Sequence, residues 1–332
     1  MDIKVLERWC DEGRVAIRKI RIKKEKKGGL CTKEDYDPVI NCFTECLKQN
    51  DCYSSAYEYR GNAYLEQGEY DKAIADYTKL ISLTFQFSLL DYNESEVAEY
   101  YVLRGDAYVK KNEQKKAFHD YNKAIESCSN LIDKITKGEW RKITRDPHRE
   151  SQWDFCRVYL TRGKIYVRKK EYNKAIADYN SAIKIDPTDS SYYFEKGKVH
   201  FEKKEYDKAI ADYTKAIEVG KGDASSFMDY PSSFFSQGGF REDGYMCLGD
   251  AYSQKGERDK AVAAYIKAAE GLCSSGYLCV MTRREPYKES GFYKKVQECI
   301  QKAKCLGGKI SNEFLEHLKR PKDFLFNKTA RE

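Results

Sequence analysis

In a chain of 332 residues, catalysis or metal binding would rest on histidine, cysteine and carboxylate groups held at workable spacings. The four histidines do not supply them. His200 stands where other segments of the chain carry a core tyrosine, His119 falls on a helix surface, His148 in a loop and His317 near the end. None has the neighbours of a nucleophilic triad, a zinc site or a phosphate-binding loop. The cysteines number twelve, and Cys31, Cys42, Cys46 and Cys52 fall close together. None of these four forms a CxxC pair, and Cys42 and Cys46 are four apart in a helical pattern. Buried structural thiols are therefore favoured over a metal site. No catalytic residue, metal or cofactor is expected, and the chain reads as a non-enzyme.

Composition sets the wider limits. Hydrophobic residues make up 41% and charged residues 34%, enough to bury a core beneath a heavily solvated surface. Six prolines suit a helix-rich fold. No run approaches the roughly 18 apolar residues that a membrane span needs. The opening MDIKVLERWCDEG is charged and amphipathic, without a secretory apolar core. A soluble, cytoplasmic protein with free thiols is the expectation. The net charge of +7 is uneven: residues 1–30 carry a surplus of five positive charges and residues 298–332 a surplus of three, which leaves the 267 between at −1. A near-neutral body argues against nucleic acid along its length. The basic run RKIRIKKEKK at 18–27 reads as a solvated helix end.

The body is repetitive. EYDKAIADY stands at 69–77 and again at 205–213, and EYNKAIADY at 171–179. Around these, Gly61, Gly105, Gly163, Gly197 and Gly249 each open a segment of one shape. Three residues on come Tyr64, Tyr108, Tyr166, His200 and Tyr252, and twelve on come Ala73, Ala117, Ala175, Ala209 and Ala261. Tyr77, Tyr121, Tyr179, Tyr213 and Tyr265 follow, then Leu80, Ala124, Ala182, Ala216 and Ala268. Apolar residues recur at three and four, the helical period, and each segment breaks once, at QGEYD, KNEQK, KKEYN, KKEYD or KGERD. Each is thus two antiparallel helices joined by a tight turn. Small residues let the helices approach and the tyrosines fill the space left. Asp71, Asn173, Asp207 and Asp259 are expected to cap the second helices, with Lys115 leaving the second copy less firmly started. One such hairpin cannot bury its apolar face, but a stack of them can.

These residues resemble the tetratricopeptide repeat (TPR), a 34-residue helix–turn–helix unit. Gly163 and Gly197 show the period directly, and Pro187 stands where the family often ends a unit. The resemblance implies an all-α, right-handed α-α superhelix, a solenoid of antiparallel helix pairs. The units fall at 54–87, 98–131, 156–189, 190–223 and 242–275, with inserts at 132–155 and 224–241. Residues 1–53 hold N-terminal helices with a degenerate copy: Tyr36 and Phe43 lie 34 residues before Tyr70 and Tyr77. The Gly28-Gly29 pair is expected to spoil its first helix. After the fifth unit, GYLCVMTRREPYKES looks irregular, and FYKKVQECIQKAKCL and SNEFLEHLKR read as capping helices within 276–332.

One departure from the family pattern is informative. Arg60, Arg104, Arg162 and Lys196 precede the glycines where leucine is usual, and Asp76, Asp120, Asp178 and Asp212 precede the tyrosine row. The fifth copy has Leu248 and Ala264, losing both charges together. An ion pair between the two helices of each of the first four units is expected. The inserts are unusual for compact arrays. GEWRKITRDPHRESQW mixes Trp140 and Trp153 with Arg141, Lys142, Arg145 and Arg149, while SSFMDYPSSFFSQGGF, with Met228, is too apolar to stay in water. Each either packs on the stack or docks on a partner.

A helical solenoid offers a concave surface lined by its first helices. In the TPR family that groove holds peptides or partner helices, so the resemblance implies a protein-interaction scaffold or adaptor. The lining includes Asn62, Leu65, Val102, Asp106, Val109, Arg157, Leu160, Lys164, Val167, Arg168, Phe194, Lys198, Phe201, Met246 and Asp250. Adaptors of heat-shock chaperones grip a terminal carboxylate with lysine and asparagine. Here Asn62 fits, but Glu58 and Leu103 stand where that pattern needs lysine and asparagine. The surface instead suits an amphipathic helix or extended peptide with some acidic residues, read by Arg157, Lys164, Arg168 and Lys198. The alternatives are an RNA-binding helical-repeat protein and one that binds a small ligand or lipid.

Overall fold

The computed structural model describes residues 3–26, 31–87, 94–138, 152–220, 240–283 and 291–312. Among the described residues it is all helical, with thirteen α-helices and one short 3₁₀ turn at Lys33–Asp35. The helices are α1 (Ile3–Lys26), α2 (Asp37–Gln49), α3 (Ser54–Gln67), α4 (Tyr70–Phe87), α5 (Glu94–Lys110), α6 (Gln114–Thr136) and α7 (Gln152–Arg168). They continue as α8 (Tyr172–Ile185), α9 (Ser190–Glu202), α10 (Tyr206–Val219), α11 (Phe240–Lys255), α12 (Arg258–Arg283) and α13 (Gly291–Cys305). α5 and α7 each begin four residues ahead of the expected unit start, and α6 runs on to Thr136. No described helix is long and apolar enough to cross a membrane.

The hairpins follow from a turn written in one register. Seven residues after each repeat glycine the backbone is left-handed, at Gly68, Asn112, Lys170, Lys204 and Gly256. The next amide then reaches back five residues, as in Glu69 N–H to Tyr64 O at 2.9 Å and Glu171 N–H to Tyr166 O at 2.8 Å. Those bonds close the last turn of each first helix. All five second helices, α4, α6, α8, α10 and α12, start nine residues after the glycine, so Lys115 does not delay α6. The expected caps are corrected here. Asp71, Asp207 and Asp259 lie inside the first turn of their helices, where a negative charge favours the helix dipole, and Asn173 lies inside the first turn of α8. The residue ahead is a glutamate whose carboxylate instead pairs forward, as in Glu113–Lys116 at 2.6 Å and Glu171–Lys174 at 2.7 Å.

Small-to-large packing fixes the helix pairs. A Cβ built on Gly61 would lie 2.8 Å from the Tyr77 ring, and on Gly163 2.4 Å from Tyr179. The alanine row and the tyrosine row are buried throughout.

The chain divides into two compact units, Met1–Ala182 and Ile183–Glu332, with the boundary near the end of α8. In the first, α1 pairs with α2, and a Cβ on Gly13 would meet the Phe43 ring at 2.6 Å. This corrects the N-terminal expectation: the first helix of the degenerate copy lies well before Gly28, and its connection to the second helix is lengthened. In the second unit, α12 continues into the stretch expected to be irregular, as far as Arg283. α13 then packs on α12, burying Val296, Cys299, Ile300 and Ala303 against Ala261, Tyr265, Ala268 and Leu272. α13 ends in the same turn as the repeats, with Gly307 left-handed and Gly308 N–H bonded to Ala303 O at 3.0 Å. The segment expected as a second closing helix lies almost wholly outside the described residues.

Candidate partner-binding groove

The first helices are set in place by a largely buried ion pair in each of the first four repeats, as expected. Arg60 Nε and Nη2 donate to Asp76 at 2.9 and 2.7 Å, Arg104 to Asp120 at 2.8 and 2.8 Å, and Arg162 to Asp178 at 2.9 and 2.7 Å. Two parallel bonds are the strong, orienting form of this contact. The remaining Nη1 reaches the preceding second helix, at Thr44 Oγ1, Thr78 Oγ1 and Ser129 Oγ. Each guanidinium thus closes its own hairpin and joins it to the one before. A tyrosine face covers it: Tyr57, Tyr101 and Tyr159 lie 5.5 to 5.7 Å away. Burial pushes the Asp76 carboxyl up, opposed by the Arg60 guanidinium. The fourth repeat solves the problem with two residues. Asp212 takes Lys196 Nζ on one oxygen at 3.0 Å and His200 Nδ1 on the other at 2.6 Å. His200 is therefore a buried partner of a carboxylate.

In the unit Met1–Ala182, Leu65, Val102, Val109, Leu160 and Val167 remain half-buried on α3, α5 and α7, whereas Ala63, Ala107 and the second-helix tyrosines Tyr77, Tyr121 and Tyr179 are buried. Polar groups stand among them. Asn62 Oδ1 accepts from the Tyr77 hydroxyl at 2.7 Å, a bond that does not use its amide hydrogens. Asp106 accepts from the Tyr121 hydroxyl at 2.6 Å and from Arg168 Nε and Nη2 at 2.9 and 3.0 Å. Arg157 donates to Glu99 at 2.7 Å. Two of the expected cationic spots are thus engaged with carboxylates of the neighbouring first helix, while no described residue pairs with Lys164. Glu58 is half-buried, and its carboxyl is raised by burial and then by Glu99 and Glu96.

In the unit from Ile183, Phe194 is buried beneath Lys198, whose ammonium lies 5.5 Å from the ring and 2.9 Å from Glu195. Phe201 and Met246 are half-buried, and Phe201 meets Tyr206 edge-on at 5.6 Å. Asp250 accepts from the Tyr265 hydroxyl at 2.6 Å and from Lys302 of α13 at 2.9 Å, and Lys295 of α13 pairs with Asp243 at 2.9 Å.

Glu99, Asp243, Lys295 and Lys302 take part in these pairs and are not among the expected residues. Glu99 and Asp243 stand six before their glycines, one helical turn beyond the expected row, so their register is present in the sequence. The α13 lysines carry no repeat signal. Trp140, Arg141, Lys142, Arg145, Arg149 and Met228 lie outside the described residues, as does the side chain of Trp153. No cluster of metal-ligating side chains occurs among the described residues.

Models of the TPR repeat match residues 163–204, and models of the tetratricopeptide repeat match 54–86, 98–130, 190–223 and 243–270. No curated protein matches the chain. Among solved structures, BtubC (BKLC) from P. vanneervenii is 13% identical, with a TM-score of 0.49 over 77% of this chain and 92% of that one. A protein from Parabacteroides merdae is 14% identical, with a TM-score of 0.44 over 96% and 98%. The TPR2AB domain of yeast Sti1, in a complex with pHSP90, is 17% identical, with a TM-score of 0.33 over 91% and 99%.

Proposed function

The chain belongs to the tetratricopeptide repeat family, in general a family of non-enzymatic interaction modules, and we propose that it is an adaptor whose first helices hold a peptide or helix of a partner protein. The observation that carries this reading is the half-buried apolar row. Leu65, Val102, Val109, Leu160 and Val167 recur at fixed register positions on α3, α5 and α7 and keep apolar surface in contact with water. A partner that covered them would gain on the order of 25 cal/mol for each Å² of apolar surface removed from water. Asn62 supplies amide donors beside the row, and Lys164 a cation without a described partner, so an extended or helical segment with an acidic residue fits. Phe201 and Met246 offer the corresponding surface in the second unit. A cytoplasmic setting belongs to the same reading, since the described cysteines are free thiols, the usual state in a reducing compartment.

The test is affinity purification with mass spectrometry of the wild type, Val109→Glu and Phe201→Glu, with circular dichroism to confirm the fold. Partners retained by the wild type should be lost from one or both variants. An unchanged partner set on two folded variants would move binding away from these faces.

A further inference from the structure

Two buried sulfurs meet at the N-terminal end of the chain. Cys10 of α1 is 5% exposed and Cys46 of α2 is fully buried, and their Sγ atoms lie 3.5 Å apart. Cys46 stands in the row that holds Leu80, Ala124, Ala182, Ala216 and Ala268 in the repeats. The place that carries inert packing in five units thus carries a thiol in the degenerate one, facing a second thiol across the helix pair. Tyr53 lies against Cys10, and the Arg14 guanidinium is near both.

We propose that Cys10 and Cys46 form a dithiol that a peroxide oxidises to a disulfide, joining α1 covalently to α2. Cys10, the sulfur with a cation at hand, attacks the peroxide oxygen as its thiolate and breaks the O–O bond, giving a sulfenic acid, and the departing hydroxide takes up the proton the Cys10 thiol released, as water. The Cys46 sulfur then attacks the Cys10 sulfur, and the sulfenic hydroxyl leaves with the Cys46 proton as water. Overall two thiols and one hydrogen peroxide give one disulfide and two waters. Burial, then the Cys10 thiol, pushes the Cys46 thiol up to about 12, so its proton leaves only as the sulfur attacks, taken by the departing hydroxyl. Access comes through α1, which packs chiefly on α2 and so opens more easily than a helix held on both sides. The bond closes a loop across 36 residues and so constrains the unfolded end helix.

The reduced full chain is treated with hydrogen peroxide, quenched with catalase, alkylated with iodoacetamide under denaturing conditions and digested for mass spectrometry. The expected product is a Cys10–Cys46 cross-linked peptide two daltons below the sum of its thiol forms, released by dithiothreitol. Amide exchange across α1 should then slow by about tenfold or more, from the usual disulfide stabilisation. Cys10→Ser, treated alike, should show neither change. Three results would overturn the proposal: recovery of both cysteines as alkylated thiols while exposed Cys52 is oxidised, a link from either sulfur to Cys42 or another cysteine, or a cross-linked protein whose α1 exchanges as before.

Discussion

At Gly163 the chain has no space for a methyl group. A Cβ there would sit 2.4 Å from the Tyr179 ring, which is itself fully buried, so neither side can give. Gly163→Ala should destabilise the protein by about 2 kcal/mol in urea titration, the cost of overpacking exceeding the helix propensity gained. The turns invite the opposite change. Lys170 and Lys204 hold φ of 59° and 61°, where Gly68 and Gly256 stand in other units. Lys170→Gly should stabilise by about 1 kcal/mol, because a side chain in the left-handed region costs that much and glycine does not. Glu58 gives a prediction in pH. Its folded pKa is raised above the usual 4.5 by burial, then by Glu99 and Glu96. The protonated form therefore favours the fold, a contribution fully present below the unfolded pKa and lost as pH rises through the folded one. Glu58→Gln should gain about half a kcal/mol at pH 7, small because water screens a half-exposed carboxylate, and nothing near pH 4. Thermal unfolding at both pH values reads the difference.

Between residues and molecule stands the hairpin, and here the sequence is most legible. Glycine, alanine and tyrosine recur at fixed offsets because one turn and one close contact impose them, so the same offsets return the second-helix starts. Gly13 escapes that pattern because its partner is Phe43, 30 residues on, where the repeats use 16. α13 escapes it because Ile300 stands seven before Gly307, where a repeat would have glycine. The groove is less legible than the hairpins. The proposed lining follows from register, but Glu99 and Arg157 are 58 apart across an insert, and no local spacing announces that they pair. The Arg162–Asp178 pair is legible, and its energetics can be read from the fifth unit, where Leu248 and Ala264 are both buried. Arg162→Leu alone leaves Asp178, 4% exposed, without its partner, and should cost about 3–5 kcal/mol. Asp178→Ala in the same background should recover most of that loss, since the double variant resembles a unit the chain already tolerates. Additive losses in urea titration would mean the two charges act independently.

On the scale of the molecule, a stack of repeats is held by its own hairpins and by neighbour contacts, so its ends matter out of proportion to their size. Lysines in the turns tie successive units: Lys111 reaches Asp71 at 2.6 Å, and Lys255 reaches Asp207 at 2.7 Å. These pairs are exposed and each contributes little. Covering the last apolar face contributes more. α13 sets Val296 and Ile300 on Leu272 and Ala268, and its removal returns those faces to water while leaving Asp250 without Lys302. Deleting residues 291–332 should therefore weaken the unit from Ile183 by on the order of 5 kcal/mol, two to three large apolar side chains being uncovered. Hydrogen exchange in increasing urea resolves where the loss falls. Amides of α11 and α12 should open at lower urea than in the full chain, while those of α5 and α6 keep their midpoint. A parallel fall in α5 and α6 would mean that the cap supports the whole array as one cooperative block, and the division near Ala182 would have no energetic counterpart.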